Sequence, residues 1–116
     1  MIVRIEVKCI PPWKQLPAGA SERRNQKSRK EKLQEEAKKK VSDLHGSLIT
    51  GDLRMKVVYI RSKGRADATN ILGGIADSLQ KIVYENDKFL TKIDYSEVKG
   101  NADEYVVEIS SIERDR

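Results

Sequence analysis

Chemistry that depends on sulfur or imidazole has almost nothing to work with in this chain, which holds one cysteine, Cys9, and one histidine, His45. A lone cysteine excludes an intramolecular disulfide, and without further soft ligands a structural zinc site is not expected. Cys9 follows an alternating apolar run and reads as a small buried hydrophobe. His45 falls at the end of a helical pattern, where its simplest role is a dipole partner, so neither a Ser-His-Asp nor a Cys-His arrangement is supported. The glycine-containing stretch "GRADATNILGG" (64–74) lacks the Lys-Ser/Thr ending of a phosphate loop. No apolar run approaches the ~20 residues of a membrane span. The N-terminal "MIVRIEVKCI" alternates where a signal peptide would carry an apolar block. A cytoplasmic protein without a membrane partner or small-molecule cofactor is expected. There are no internal repeats and no long linker, so residues 1–116 are expected to form a single domain.

What the chain does have is charge. Charged residues make up 35% of it and apolar residues only 38%, with a net charge of +5. The excess is local. Residues 22–40, "ERRNQKSRKEKLQEEAKKK", hold nine Lys or Arg against four Glu, and the remainder is balanced. A concentrated basic surface suits a polyanion, nucleic acid first; the plainer reading is a solvated, highly charged helix.

Apolar periodicity sets out the elements. Residues 2–9 alternate with period two, a half-buried strand that Pro11 and Pro12 stop. Pro17 and Gly19 keep the next segment in a loop. Ser21 is placed to cap a basic helix running to about Leu44, with Leu33, Ala37, Val41 and Leu44 as a narrow apolar stripe and Gly46 as its stop. Residues 53–62 read as a strand and 70–83 as a helix whose core face is Ile71, Leu72, Ile75, Leu79 and Ile82. "YENDKF" is a loop. Two further strands come after it, "LTKIDYSEV" and "EYVVEISSIE", with Gly100-Asn101 between them as a plausible hairpin turn. The terminal "ERDR" reads as a charged tail. The predicted fold is α+β: a small mixed four-stranded sheet with the order β-α-β-α-β-β and the helices packed on one face.

Three aspartates stand out around the second helix: Asp67 before it, Asp77 within it and Asp87 after it. At 100° per residue, Asn70, the Gly73-Gly74 pair and Asp77 share one strip. Each glycine costs ~1 kcal/mol relative to alanine inside a helix. The pair therefore marks a close approach, either of another backbone or substrate phosphate, or of the helix to its sheet. Carboxylates beside bare backbone can hold Mg²⁺, which needs one or two acids plus water and phosphate oxygens. Singly, the same residues are a cap or turn former (Asp67), a partner for Lys81 (Asp77) and a turn former (Asp87).

Residues 64–87 resemble the RusA-like Holliday junction resolvase family. "DATN" (67–70), "DSL" (77–79) and "END" (85–87) follow the order of that family's Asp-x-Asp-Asn motif opening a helix, its helical aspartate before a leucine, and its acidic pair in the next loop. The strand ending in Pro-Pro, the basic helix and the closing strands extend the resemblance over nearly the whole chain. It implies a Mg²⁺-dependent (or Mn²⁺-dependent) endodeoxyribonuclease of DNA recombination and repair, a homodimer acting on branched DNA. Asp67 and Asp87 would be catalytic or metal-binding, with Asn70 and Asp77 shaping the site and Asp77 able to act as a third metal ligand. Three positions depart from the pattern: Thr69 stands where a second motif aspartate is expected, Gly73 where a lysine is, and Asn86 where an aspartate is. Asp77 or Glu85 is available to restore the carboxylate, and Lys81 or a lysine of the basic helix to restore the cation.

In this reading Lys14, Arg23, Arg24, Lys27, Arg29, Lys30 and Arg65 meet phosphates, together with Asn70. Trp13 either stacks on an unpaired base or packs under its own loop. The alternative is a non-catalytic or weakly catalytic branched-DNA-binding module of the same fold.

Overall fold

The computed structural model describes residues 2–14, 19–43, 48–64 and 66–112. Leu44, His45, Gly46, Pro17, Arg65 and the terminal "ERDR" lie outside them. The elements are β1 (Ile2–Val7), α1 (Ala20–Asp43), β2 (Leu53–Arg61), α2 (Ala68–Leu79), a 3₁₀ turn (Asp87–Phe89), β3 (Leu90–Lys99) and β4 (Glu104–Ser111). This is the predicted β-α-β-α-β-β order in an α+β domain with a four-stranded mixed sheet. Among the described residues no helix is long and apolar enough to cross a membrane.

The period-two pattern places Val3, Ile5 and Val7 on one face of β1. Met55, Val57 and Tyr59 join them from β2, and Tyr105, Val107 and Ile109 from β4. Both helices cover that face. Leu33, Ala37 and Val41 of α1 and Ile71, Ile75 and Leu79 of α2 join the same core. The basic helix buries only this narrow apolar stripe in the core, and most of the rest of its circumference carries charge. The opposite sheet face carries cross-strand ion pairs, such as Arg4–Glu108 at 2.8 Å.

The strand order is β1-β4-β2-β3, with β4 antiparallel to both neighbours and β2 parallel to β3. The expected hairpin at Gly100-Asn101 does not form, because β2 lies between β3 and β4. The burial patterns explain the arrangement. The mostly exposed, charge-rich β3 suits an edge, and β4, whose side chains are buried or half-buried through most of its length, lies inside the sheet. Gly100 serves the crossing past β2. Its amide donates to the Arg61 carbonyl at 3.0 Å, and a side chain there would collide with Ile60.

Two helix boundaries also differ from expectation. Ser21 lies inside the first turn of α1, and the Gly19 carbonyl takes the capping bond from the Arg23 amide. α2 stops at Leu79, not 83: Gln80 turns extended and Lys81 adopts a left-handed φ of 65°. Ile82 thus packs against the core from a turn, next to buried Val83 and Tyr84. No glycine marks this break, which is why periodicity alone carries the helix too far. Cys9 is only half-buried; its thiol donates to the Ile10 carbonyl, and burial pushes its pKa up.

Candidate nucleic-acid and acidic site

Asp67 is the N-cap of α2. Its Oδ1 accepts the Asn70 amide at 2.9 Å and its carbonyl accepts Ile71. The capping role answers the local need of unpaired helical amides and leaves the second carboxylate oxygen without a partner among the described residues. The approach to Asp67 is held from outside. Arg61 donates to the Gly64 and Ala66 carbonyls, both at 2.8 Å, lies over the Tyr59 ring and grips Glu97. Asp103 accepts the amides of Ser62, Lys63 and Gly64 and the Tyr59 hydroxyl. Burial pushes the Asp103 carboxyl up, but these hydrogen bonds outweigh it and hold its pKa at about 2. Burial, reinforced by the bond to Asp103, also raises the Tyr59 hydroxyl. Arg61 read only as the end of a strand and Asp103 as a turn residue, so sequence reasoning missed both; nothing local in the sequence signals that Asp103 meets a loop some forty residues upstream.

The strip of Asn70, Gly73, Gly74 and Asp77 does not face open solvent. The segment Pro12–Trp13–Lys14 lies along it, with the Lys14 amide donating to the Asn70 carbonyl at 2.9 Å. A β-carbon at Gly74 would meet Pro12 and Trp13 backbone, and one at Gly73 the stem of Lys14. Of the two explanations for the glycines, approach of another backbone is the one observed, and that backbone is the chain's own.

Beyond this seam opens a cleft of about 570 Å³, lined by Pro12, Trp13 and Lys14, by Gln26, Lys27 and Lys30 of α1, and by Gly74, Asp77 and Ser78 of α2. Five predicted site residues therefore meet at one place: Trp13, Lys14, Lys27, Lys30 and Asp77. The Trp13 amide donates to Gln26 Oε1 at 3.1 Å. Arg29 lies 4.5 Å from the Trp13 ring centroid and pairs with Glu22, so its side chain is spent within the fold. Arg23, Arg24 and Lys27 project from α1 towards solvent.

Asp77 pairs with Lys30 at 3.4 Å, not with Lys81, which pairs with Glu85. Its other oxygen accepts Gln80 Nε2 at 3.1 Å, while Gln80 Oε1 accepts the Asp87 amide at 3.2 Å. Gln80 thus ties the Asp77 carboxylate to the Asp87 backbone, a link whose only sequence signal is a polar residue one turn after an acid at a helix end. Asp67 is elsewhere: ten residue steps separate it from Asp77, about 15 Å along α2. Among the described residues no three His, Cys, Asp or Glu side chains stand close enough to hold a metal ion. Within one chain Asp77 is linked through Gln80 to the Asp87 backbone while Asp67 stands at the other end of α2, and Arg65 lies outside the described residues.

The family model described as Endodeoxyribonuclease RusA matches residues 2–110. No curated protein matches the sequence.

Proposed function

The chain belongs to the endodeoxyribonuclease RusA family, and from that premise we propose that it is a Mg²⁺-dependent, structure-selective nuclease that cuts phosphodiesters at four-way DNA junctions as a homodimer. The observation that carries this reading is the cleft, where the Asp77 carboxylate shares a wall with Lys14, Lys27 and Lys30. Binding a polyanion gives no reason to set an acid among the cations that receive it; hydrolysing one with the help of a divalent cation does.

The donor chemistry fits such an ion. Asp77 and Asp87 offer hard oxygens, Gln80 spans from the Asp77 carboxylate to the Asp87 backbone, and two acids would meet the one or two carboxylates that Mg²⁺ takes when water and phosphate fill the remainder. When bound, the ion would polarise a phosphoryl oxygen and lower the pKa of the attacking water. The protein does the rest. Arg23, Arg24 and Lys27 neutralise backbone phosphates without reading sequence. Lys30 holds Asp77 in place. Lys14, whose stem lies over Gly73, delivers a cation where the family resemblance leads one to expect a helical lysine. Asp67, at the positive end of α2, would complete an acidic site on the same DNA, its placement fixed by Arg61 and Asp103.

A second reading, a branched-DNA-binding module that cleaves weakly or not at all, is favoured by the separation of Asp67 from Asp77 and by Thr69 in place of a carboxylate. Labelled four-way junction and linear duplex, each with and without Mg²⁺, separate the two. Metal-dependent cutting confined to the junction, lost in Asp67→Asn, supports the nuclease; tight junction binding with no product in Mg²⁺ or Mn²⁺ supports the module.

A further inference from the structure

The groove between the two helices does not end at Asp77. Lys30, Gln34 and Lys38 follow one another at four-residue intervals and so share one face of α1. That face runs along α2 and the turn after it. Lys30 meets Asp77, Gln34 Nε2 donates to the Ser78 carbonyl at 3.1 Å, and Lys38 borders a second cleft of about 270 Å³ with Val41, Ser42, Lys81 and Ile82. We propose that Lys38 and Lys81 bind a further phosphate of the DNA strand that passes Lys30 and Asp77, an inference that rests on the reading of the chain as a junction enzyme and gives that strand its path. Eight residue steps separate Lys30 from Lys38, about 12 Å along α1. A duplex strand advances about 3.4 Å per nucleotide, so the two phosphates lie about three to four nucleotides apart.

The second cleft suits an anion. Lys38 has no acid partner among the described residues, and Lys81 lines the same cleft. Two cations on one cleft repel each other until an anion lies between them. Glu85 meets Lys81 at 2.8 Å, but their side chains are 75% and 61% exposed, so that pair is weak and readily exchanged for phosphate. Lys81 also sits at a left-handed φ of 65°, where glycine would carry no strain. The chain keeps a long cation at a position whose backbone favours another residue. Between the clefts the Gln34–Ser78 bond joins the helices and puts no charge in the path. A groove with cations at both ends and a neutral floor fits a polymer of phosphates.

The experiment measures four-way junction affinity without divalent metal, at several salt concentrations, for the full chain and for Lys38→Ala, Lys81→Gly and Lys39→Ala. Lys39 is about 100° round α1 from Lys38 and pairs with Glu36, so its variant removes the same charge away from the path. Lys81→Gly removes the side chain and relieves the backbone, so its thermal melt is no lower than that of the unmodified chain. The expected result is that Lys38→Ala and Lys81→Gly each lower the salt slope by about one counterion and the affinity about threefold to fivefold, and that Lys39→Ala does neither. A single uncharged methylphosphonate is then moved along the junction strand. The position whose effect vanishes in Lys38→Ala lies about three to four nucleotides from the one whose effect vanishes in Lys30→Ala. Equal losses in Lys39→Ala and Lys38→Ala, unchanged slopes in both groove variants, or no position that depends on Lys38 overturns the path. Junction cutting in Mg²⁺ in that case leaves the nuclease reading standing. The expected slopes and spacing in a chain that never cuts junctions overturn the nuclease reading and keep the path.

Discussion

A β-carbon on Gly74 would stand 2.5 Å from the carbonyl oxygen of Pro12 and 2.6 Å from Trp13 Cα. The obstacle is backbone, so Gly74→Ala cannot be absorbed by a rotamer change and must push the 12–14 segment off α2. We expect Gly74→Ala to cost about 1–3 kcal/mol despite alanine's better helix propensity. At Gly73 the nearest atom is the Lys14 β-carbon at 3.2 Å, which a shift of a few tenths of an ångström relieves. Gly73→Ala should therefore cost clearly less than Gly74→Ala in urea denaturation; equal costs would show that the seam is not what the glycines serve.

Asp103 should be the acid-sensitive residue of the fold. Its folded pKa of about 2 lies below its ordinary 3.8, so its contribution is complete above 3.8 and disappears as pH falls towards 2. After allowance for solvent screening this amounts to about 1–2 kcal/mol. Asp103→Ala leaves three amides and the Tyr59 hydroxyl without their acceptor and should cost about 2–3 kcal/mol at neutral pH. It should also flatten the loss of stability between pH 4 and 2. Denaturation curves across that window check both.

The basic residues of α1 should divide into two kinds. Lys27 projects into solvent, and Lys27→Ala should lower the salt dependence of DNA binding by about one counterion with no change in stability. Arg29 is held over Trp13 and against Glu22 with its side chain only 17% exposed. Arg29→Ala should leave the salt slope unchanged and lower stability by about 1 kcal/mol. Binding isotherms at several salt concentrations, with thermal melts alongside, distinguish the two outcomes.

How much of this was legible in the sequence depends on whether the information is local. The alternation of Val3, Ile5 and Val7, and the stripe of Leu33, Ala37 and Val41, are local signals, and each names the face that is buried. The Gly73-Gly74 pair announced a close approach without saying to what. The pairing of β4 with β1 and β2 in place of β3 is a contest between whole strands that no local turn signal decides, and Gly100-Asn101 alone misleads. Asp103, Gln26 and Gln80 were invisible for the same reason: each works by reaching residues that only the folded chain brings near. The acidic motif drew attention to α2, and the geometry divides its members, with Gln80 linking Asp77 to the Asp87 backbone and Asp67 left at the far end.

The central claim is that Asp77 and Asp87 act together in metal-dependent cleavage. Its most direct test is the single-turnover rate of cutting a saturating four-way junction in Mg²⁺ by the unmodified chain, by Asp77→Asn and by Asp87→Asn, with junction affinity measured in parallel. The account predicts that each variant binds the junction within about threefold of the unmodified chain and cuts it at least about 100-fold more slowly. Cleavage at the unmodified rate by either variant would contradict it.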